Sequence, residues 1–443
     1  MFPFHRLAAA AVAAVLVAAP VSALAQRAPA AALPRAATPE SVGFSSARLE
    51  RLDSAMAQAV ADGRVAGIST LLMRHGKVVA FKTHGMADLE NQTPLTPDSI
   101  YRIYSMTKPV TGVAMMILFE EGRWRLDDPV SLHVPELKDL KVMTGVDDAG
   151  TPILVPASRE PTMRELMSHT AGFGYGLRDD NPVDQLFRQK QVLGSSSLQQ
   201  MAERTAEIPL LFQPGTDWSY SIAVDLQGHI VEKLSGQSLG AFMRQRIFEP
   251  LKMKDTGFHV PAADAGRLAS LYVGDPATGR IVEAASLFGG PAQDYTQPPN
   301  MESGGGGLVS TATDYGRFAQ MLVNGGELDG VRILAPATVE LMGADVIPET
   351  ARVSSNGTVA QQFNEAVGFG LDLMVVKDPR RAGSLEGRGT LSWGGAAGTW
   401  FWADPENDVV FVGMVQRLGG LGGQDIRGLS RTLVYQALVD PAK

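Results

Sequence analysis

Apolar residues recur along this chain with two different periods, and the change from one to the other divides it into regions. In ARLERLDSAMAQAVADG, Leu49, Leu52, Met56 and Val60 keep helical spacing, with Ser45 or Ser46 able to cap the start and Gly63 to end it. The following GISTLLMRHGKVVAFKTHG holds two β-rich runs joined by His75-Gly76, the chemistry of a hairpin between adjacent antiparallel strands. A second hairpin is predicted in GTWFWADPENDVVFVGMVQ, turning at Asp404 to Asp408, before a C-terminal helix from about Asp425. Between these ends, from Ser105 to about Met253, the spacing is mostly helical, broken by SHTAGFGYGLRDDNP and FQPGTDW. Strands at both ends with helices between predict an α/β (α+β) domain built from residues 41–104 and 296–443, with 105–295 inserted as a mainly helical region. A cleft between the two is the default place for a site.

The N-terminus has a different pattern. Arg6, the apolar run Leu7 to Val21 and Ala23-Leu24-Ala25 read as a secretory signal, residues 1–25, cleaved after Ala25; an uncleaved anchor is the alternative. Residues 26–40, rich in Ala and Pro, read as a flexible leader. No later stretch reaches the roughly 18 apolar residues of a membrane span. A periplasmic or secreted protein is expected. The chain has no cysteine, which excludes disulfides, a lipid-modified N-terminal Cys, Cys-ligated metals and thiol catalysis. Its 39 basic and 47 acidic residues give −8, or −9 once Arg6 leaves with the signal, and no like-charge run is present. Nucleic acid is therefore not an expected partner, because its binding needs clustered Lys and Arg.

Candidate chemistry concentrates in YSMTKPV, Tyr104 to Val110. Ser105 and Lys108 stand at i and i+3, about 5–6 Å apart at Cβ on one helix face, the layout of a nucleophile beside its base. With 27 serines and 11 lysines, a Ser-x-x-Lys match arises about 0.7 times by accident, so its surroundings must decide. Val110, Val113, Met116 and Ile117 keep helical spacing up to Glu120, Glu121 and Gly122. Pro109 fits only the first turn, where its missing N–H has no partner to lose, so the helix starts close to Ser105. A serine there meets the positive end of the helix dipole, and its own N–H is free to bind an oxyanion. Desolvation and the same field favour a neutral amine at Lys108, able to act as base. A capping serine and a solvated lysine fit this segment equally well.

Other candidates compete. Gly236-Gln237-Ser238-Leu239-Gly240 matches Gly-x-Ser-x-Gly, but the helical spacing of Leu226, Ile230 and Leu234 before it denies the strand that a nucleophile elbow requires. Gly236 reads as a helix stop and Ser238 as the next cap. His169 stands where a helix gives way to a Gly-rich loop and reads as a local hydrogen-bonding brace. No H-E-x-x-H spacing occurs, so no zinc is expected. Gly304 to Gly307 lack a following G-K-[ST] and read as a close-approach loop, with Ser310 to Thr313 capping the next helix.

These pieces together resemble the serine β-lactamase-like hydrolases, and within them the class C-like esterases often called family VIII. The resemblance runs from about Val42 to Leu438 and lies in PDSIYRIYSMTKPVTGVAMMILFEEGRWRLDDPVSLHVPEL, TMRELMSHTAGF, FQPGTDWSYSIAVDLQGHIVEKLSG and GGGGLVSTATDYGRFAQMLVNGG. It implies a β-lactamase/transpeptidase-like fold, an antiparallel sheet flanked by helices. It further implies Ser105 as the acylated nucleophile, Lys108 as its base, and Tyr220 of Tyr220-Ser221-Ile222 as the tyrosine that shares the proton traffic. Two departures bear on substrate. Ile222 stands where β-lactamases have Asn and cannot hydrogen-bond a β-lactam amide. Trp393-Gly394-Gly395 stands where they have Lys-Thr-Gly, and is similar to the pattern of the esterases. Trp393 would offer a stackable wall, Gly394 and Gly395 a close approach for the acyl chain, and the Ala396 N–H a second oxyanion donor beside that of Ser105. Tyr104 is counted with the substrate-binding residues.

The resulting expectation is an exported serine hydrolase of small-molecule carboxylic esters, working through an acyl-enzyme with no cofactor. A transacylase, a weak β-lactamase or D-alanyl carboxypeptidase, and a catalytically silent penicillin-binding-like protein are the alternatives. No oligomeric state follows from the sequence.

Overall fold

In the computed structural model, which describes residue 1 and residues 33–148, 151–284, 286–287, 290–291, 293–352, 363–421, 423 and 425–442, Ser45 caps the first helix, α1 (Ser46–Ala61), by accepting from Arg48 N. Leu49, Leu52, Met56 and Ala59 of α1 are buried, the periodic face read from the sequence. The hairpin follows as β1 (Gly67–Arg74) and β2 (Lys77–Asp88), with β3 (Thr93–Pro94) beside the far end of β2. His75 and Gly76 both take positive φ, 53° and 68°, as a two-residue turn matched to strand twist requires. Next come α2 (Thr107–Glu120), α3 (Ala223–Ser235) and α4 (Ala312–Val323). Five further strands, β4 (Val367–Phe369), β5 (Met374–Val376), β6 (Leu391–Gly394), β7 (Trp400–Asp404) and β8 (Val409–Met414), precede the C-terminal helix α5 (Ile426–Tyr435).

The eight strands form one sheet in the order β4-β5-β6-β7-β8-β1-β2-β3, every neighbouring pair antiparallel. β1 pairs with β8 from Ser69 opposite Met414 to Arg74 opposite Val409, so the two ends of the chain close a single sheet. Both faces are covered, which is why β1, β7 and β8 are buried along their whole length. On one face Ile68, Leu72, Trp400, Trp402 and Phe411 pack with α1 and α5. On the other, Leu71, Met73, Phe401, Val410 and Val412 join α2, α3 and α4 in the main core. Among the described residues, no helix is long and apolar enough to cross a membrane.

The segment read as a signal and most of the expected leader, residues 2–32, lie outside the described residues, but residues 33–40 are not a loose leader. Val78 N donates to Pro34 O at 2.7 Å and Ala36 N to Val78 O at 3.0 Å, capping an open strand edge, and Pro39–Val42 is a short 3-10 helix. The region read as mainly helical also carries short strands. Lys141–Val146 pairs with Pro152–Pro156, and Tyr272–Gly274 pairs with Ile281–Glu283 and, in parallel, with Arg417–Leu418.

Candidate active site

Ser105 lies in a 3-10 turn, Tyr104–Met106, that runs directly into α2, with Pro109 in the first turn of that helix as its chemistry requires. Tyr104 takes φ 42°, an uncommon conformation for a bulky residue and one that must be held by its surroundings. Ile103 N donates to Leu308 O at 3.1 Å, Leu308 N to Thr107 Oγ1 at 3.1 Å, and Tyr315 O–H to Met106 O at 2.9 Å. These bonds clamp the turn from α4 and the segment just before it. The Tyr104 side chain itself turns inward against Leu271, Ala284 and Ala397, and burial pushes its hydroxyl up to about 12. It is thus packed within a small apolar cluster.

One turn along, Lys108 is fully buried while Ser105 is partly exposed. Its Nζ donates to Ser105 Oγ at 3.4 Å, to Tyr175 Oη at 3.3 Å and to the carbonyl of Gly305 at 2.6 Å. The ammonium group also lies 4.5 Å from the ring centroid of Tyr220 and 5.0 Å from that of Tyr175. So a solvated lysine is not what this segment holds. Tyr220 meets Lys108 through its ring face, and its hydroxyl accepts from Trp393 Nε1 at 3.4 Å.

Two buried carboxyls, Asp225 and Asp372, lie within electrostatic reach of Lys108. Asp225 on α3 accepts from Ser303 Oγ, from Gly305 N at 3.1 Å and from Tyr175 O–H at 3.4 Å. Burial pushes its carboxyl up, and the Lys108 charge opposes that shift. Asp372, between β4 and β5, accepts from Gln227 Nε2 at 2.9 Å; burial raises it well above the usual range, with Gln227 and Lys108 pulling the other way. Burial and the neighbouring Asp225 charge keep the Tyr175 phenol protonated far above its usual range. Gly305 is the close-approach residue of the glycine loop: a Cβ there would stand 2.3 Å from Asp225 Oδ2 and 2.7 Å from Tyr175 Oη.

Aromatic side chains wall the site. Trp393 packs on Tyr220 at 5.7 Å and on Phe369 at 5.2 Å, and Trp218 and Phe363 extend the cluster. His169 is buried among Trp218, Tyr220 and Phe369, with its Nδ1 2.9 Å from Ser221 Oγ. Burial, and then the nearby Lys108 charge, hold its imidazole well below the usual histidine range. Its bond to Ser221 is that of the hydrogen-bonding brace read from the sequence. Ser238 caps the helix Leu239–Met243, accepting from Ala241 N at 3.2 Å, after Gly236 ends α3 with φ 72°.

Three expected substrate contacts are placed differently. Ile222 has no exposed surface and belongs to the main core, because it starts α3 with its N–H bonded to Gly174 O at 3.0 Å. Gly394 and Gly395 each stand close to protein groups. A Cβ at Gly394 would stand 2.9 Å from Arg427 Nη1, and one at Gly395 would stand 2.3 Å from both Ile103 O and Thr399 Oγ1. The second glycine thus lets the end of β6 abut the turn that carries Ser105. Ala396, just beyond, is exposed.

The residues sequence reasoning missed are Tyr175, Asp225, Gly305, whose carbonyl accepts from Lys108, Asp372 and Arg427. Tyr175 sat unremarked in the GFGYG loop, and Asp225 lay five residues after Tyr220, on the same turn-to-helix segment. Among the described residues, no group of three or more His, Cys, Asp and Glu side chains is placed to hold a metal ion.

Residues 52–435 match the model of the Beta-lactamase family. The chain belongs to that family. It is 36% identical over 363 residues to Protein Rv1367c of Mycobacterium tuberculosis, covering 80% of this chain and 86% of the relative. It is 30% identical over 367 residues to Esterase EstB of Burkholderia gladioli, covering 79% of this chain and 86% of EstB. Among solved structures, EstCE1, a hydrolase with promiscuous acyltransferase activity, superposes with a TM-score of 0.72 at 27% identity over 88% of this chain and 98% of EstCE1. This membership in the Beta-lactamase family accounts for the antiparallel sheet and its flanking helices, as the sequence resemblance implied.

Proposed function

We propose that this chain is an exported serine hydrolase that cleaves neutral carboxylic esters through an acyl-enzyme on Ser105. The observation that carries the reading is the pairing of a partly exposed Ser105 with a fully buried Lys108 whose Nζ lies 3.4 Å from the serine oxygen. Lys108, in its neutral form, takes the hydroxyl proton as Ser105 attacks the ester carbonyl. The tetrahedral oxyanion rests on the N–H groups of Ser105 and Ala396, and the alcohol leaves with the proton returned through Lys108 and Tyr220. Water repeats the sequence to free the acid. Similarity to EstB supports the ester as substrate class. Export rests on residues 1–25, with the mature chain starting at Gln26.

Specificity rests on Trp393 and its aromatic neighbours, since Ile222 lies in the core. A substrate carboxylate on that wall loses water without gaining a partner, and Arg427, the cation beside β6, is already engaged with the Gly395 carbonyl. A hydrogen bond to a charged group is worth about 1.5–3 kcal/mol, so p-nitrophenyl butyrate is expected to be turned over with a kcat/KM roughly ten- to a hundredfold above that for nitrocefin. Parallel assays of the purified mature protein measure this, and a nitrocefin value equal to or above the ester value would overturn the ester reading. Because EstCE1 also transfers acyl groups, the same assay with added alcohol reads out transfer: a new ester formed faster than acid would make the chain a transacylase.

A further inference from the structure

The Gly395 carbonyl, at the end of β6, is held by two donors. Gly398 N–H reaches it at 3.0 Å and closes a turn over Gly395 to Gly398. Arg427 Nη2 reaches it at 3.1 Å from the first turn of α5, 32 residues further on. A carbonyl oxygen has two lone pairs, and here both are engaged. A peptide unit is planar and trans, so its C=O and the next N–H point in opposite directions. The group that fixes the Gly395 oxygen therefore fixes the direction of the Ala396 N–H. Gly395 N is bonded in turn to Thr399 O at 2.8 Å, and the contact of Gly395 with Ile103 ties this turn to the Ser105 segment.

Arg427 is set in place by the fold. Asp425 caps α5 and accepts from Arg427 N at 3.0 Å, while the adjoining Ile426 is fully buried, which fixes the rotation of the helix. The guanidinium then occupies the space left by the missing Cβ of Gly394. The two glycines after Trp393 so have separate uses: Gly394 admits the arginine, and Gly395 admits the nucleophile's turn.

We infer that Arg427 is a positioning residue of the acyl-transfer centre, whose hold on the Gly395 carbonyl aims the Ala396 N–H as oxyanion donor. A cationic donor on that carbonyl also polarises the peptide and strengthens its N–H as a donor. The inference rests on the ester-hydrolase reading above, and its test separates the two. Removing one oxyanion donor costs roughly 10²–10³-fold in kcat, and a donor that is mis-aimed costs less. Arg427→Met is therefore expected to lower kcat for p-nitrophenyl butyrate roughly ten- to a hundredfold, with KM nearly unchanged. In the same variant, the infrared carbonyl stretch of an isotope-labelled, slowly deacylating acyl-enzyme moves to higher frequency, because the acyl oxygen has lost a hydrogen bond. Arg427→Lys, which keeps one cationic donor, restores part of both signals. If Arg427→Met does not fold, Gly394→Ala displaces the guanidinium without removing it and is expected to give the same spectral shift. A folded variant with the wild-type carbonyl frequency overturns the inference, as does a rise in KM with kcat unchanged. Failure of a serine-directed phosphonate to label Ser105 in the unmodified enzyme would instead sink the hydrolase reading itself.

Discussion

Ser105→Ala is expected to lower ester kcat/KM by roughly four to six orders of magnitude, while Ser238→Ala keeps most of the activity. The two serines sit in similar local sequence, each beside glycine or helix-starting residues, yet only Ser105 has a base one turn away. Ser238 Oγ is occupied in capping Ala241 N, and its loss removes a cap worth about 1 kcal/mol, a cost in stability and not in chemistry. Steady-state assays on both variants, with folding checked by circular dichroism, decide the assignment. Activity lost in a folded Ser238→Ala protein would reverse it.

Lys108→Arg and Lys108→Ala are each expected to cost about a thousandfold or more, the alanine because the base is gone and the arginine because a guanidinium stays protonated. The arginine also carries a larger planar head into a niche closed by Gly305 O at 2.6 Å and by the rings of Tyr175 and Tyr220. Tyr175→Phe, which leaves Ser105 and Lys108 in place, removes one hydrogen bond to the lysine and is expected to cost only roughly tenfold to a hundredfold. Single-turnover acylation by p-nitrophenyl acetate reads these effects directly. Substantial acylation in Lys108→Arg would move the role of base to another group.

The legible part of this protein was its local pattern. Helical spacing over Ser46 to Ala61, the His75-Gly76 turn, the second hairpin around Asp404 and the cap of α5 all depend on neighbours within a few residues, so propensity and periodicity were enough to place them. The Ser105 and Lys108 pair is of the same kind, because i and i+3 face each other on any helix. The antiparallel order of eight strands was legible only through family resemblance: that β8 lies against β1 depends on contacts between the two ends of the chain.

What the sequence determined by itself was therefore the spacing of Ser105 and Lys108 and the elements that carry them. Tertiary structure alone decided what surrounds the base. Tyr175, Asp225, Gly305 and Asp372 are scattered over nearly two hundred residues, and no periodicity marks them, because they meet only where α2, α3 and the glycine loop pack around the buried Lys108 side chain. The same reason placed Ile222 in the core and set Gly394 and Gly395 against protein groups. A residue type shows what a side chain can do, but the direction of its Cβ, toward substrate or toward Arg427 and Ile103, is set by how distant segments pack.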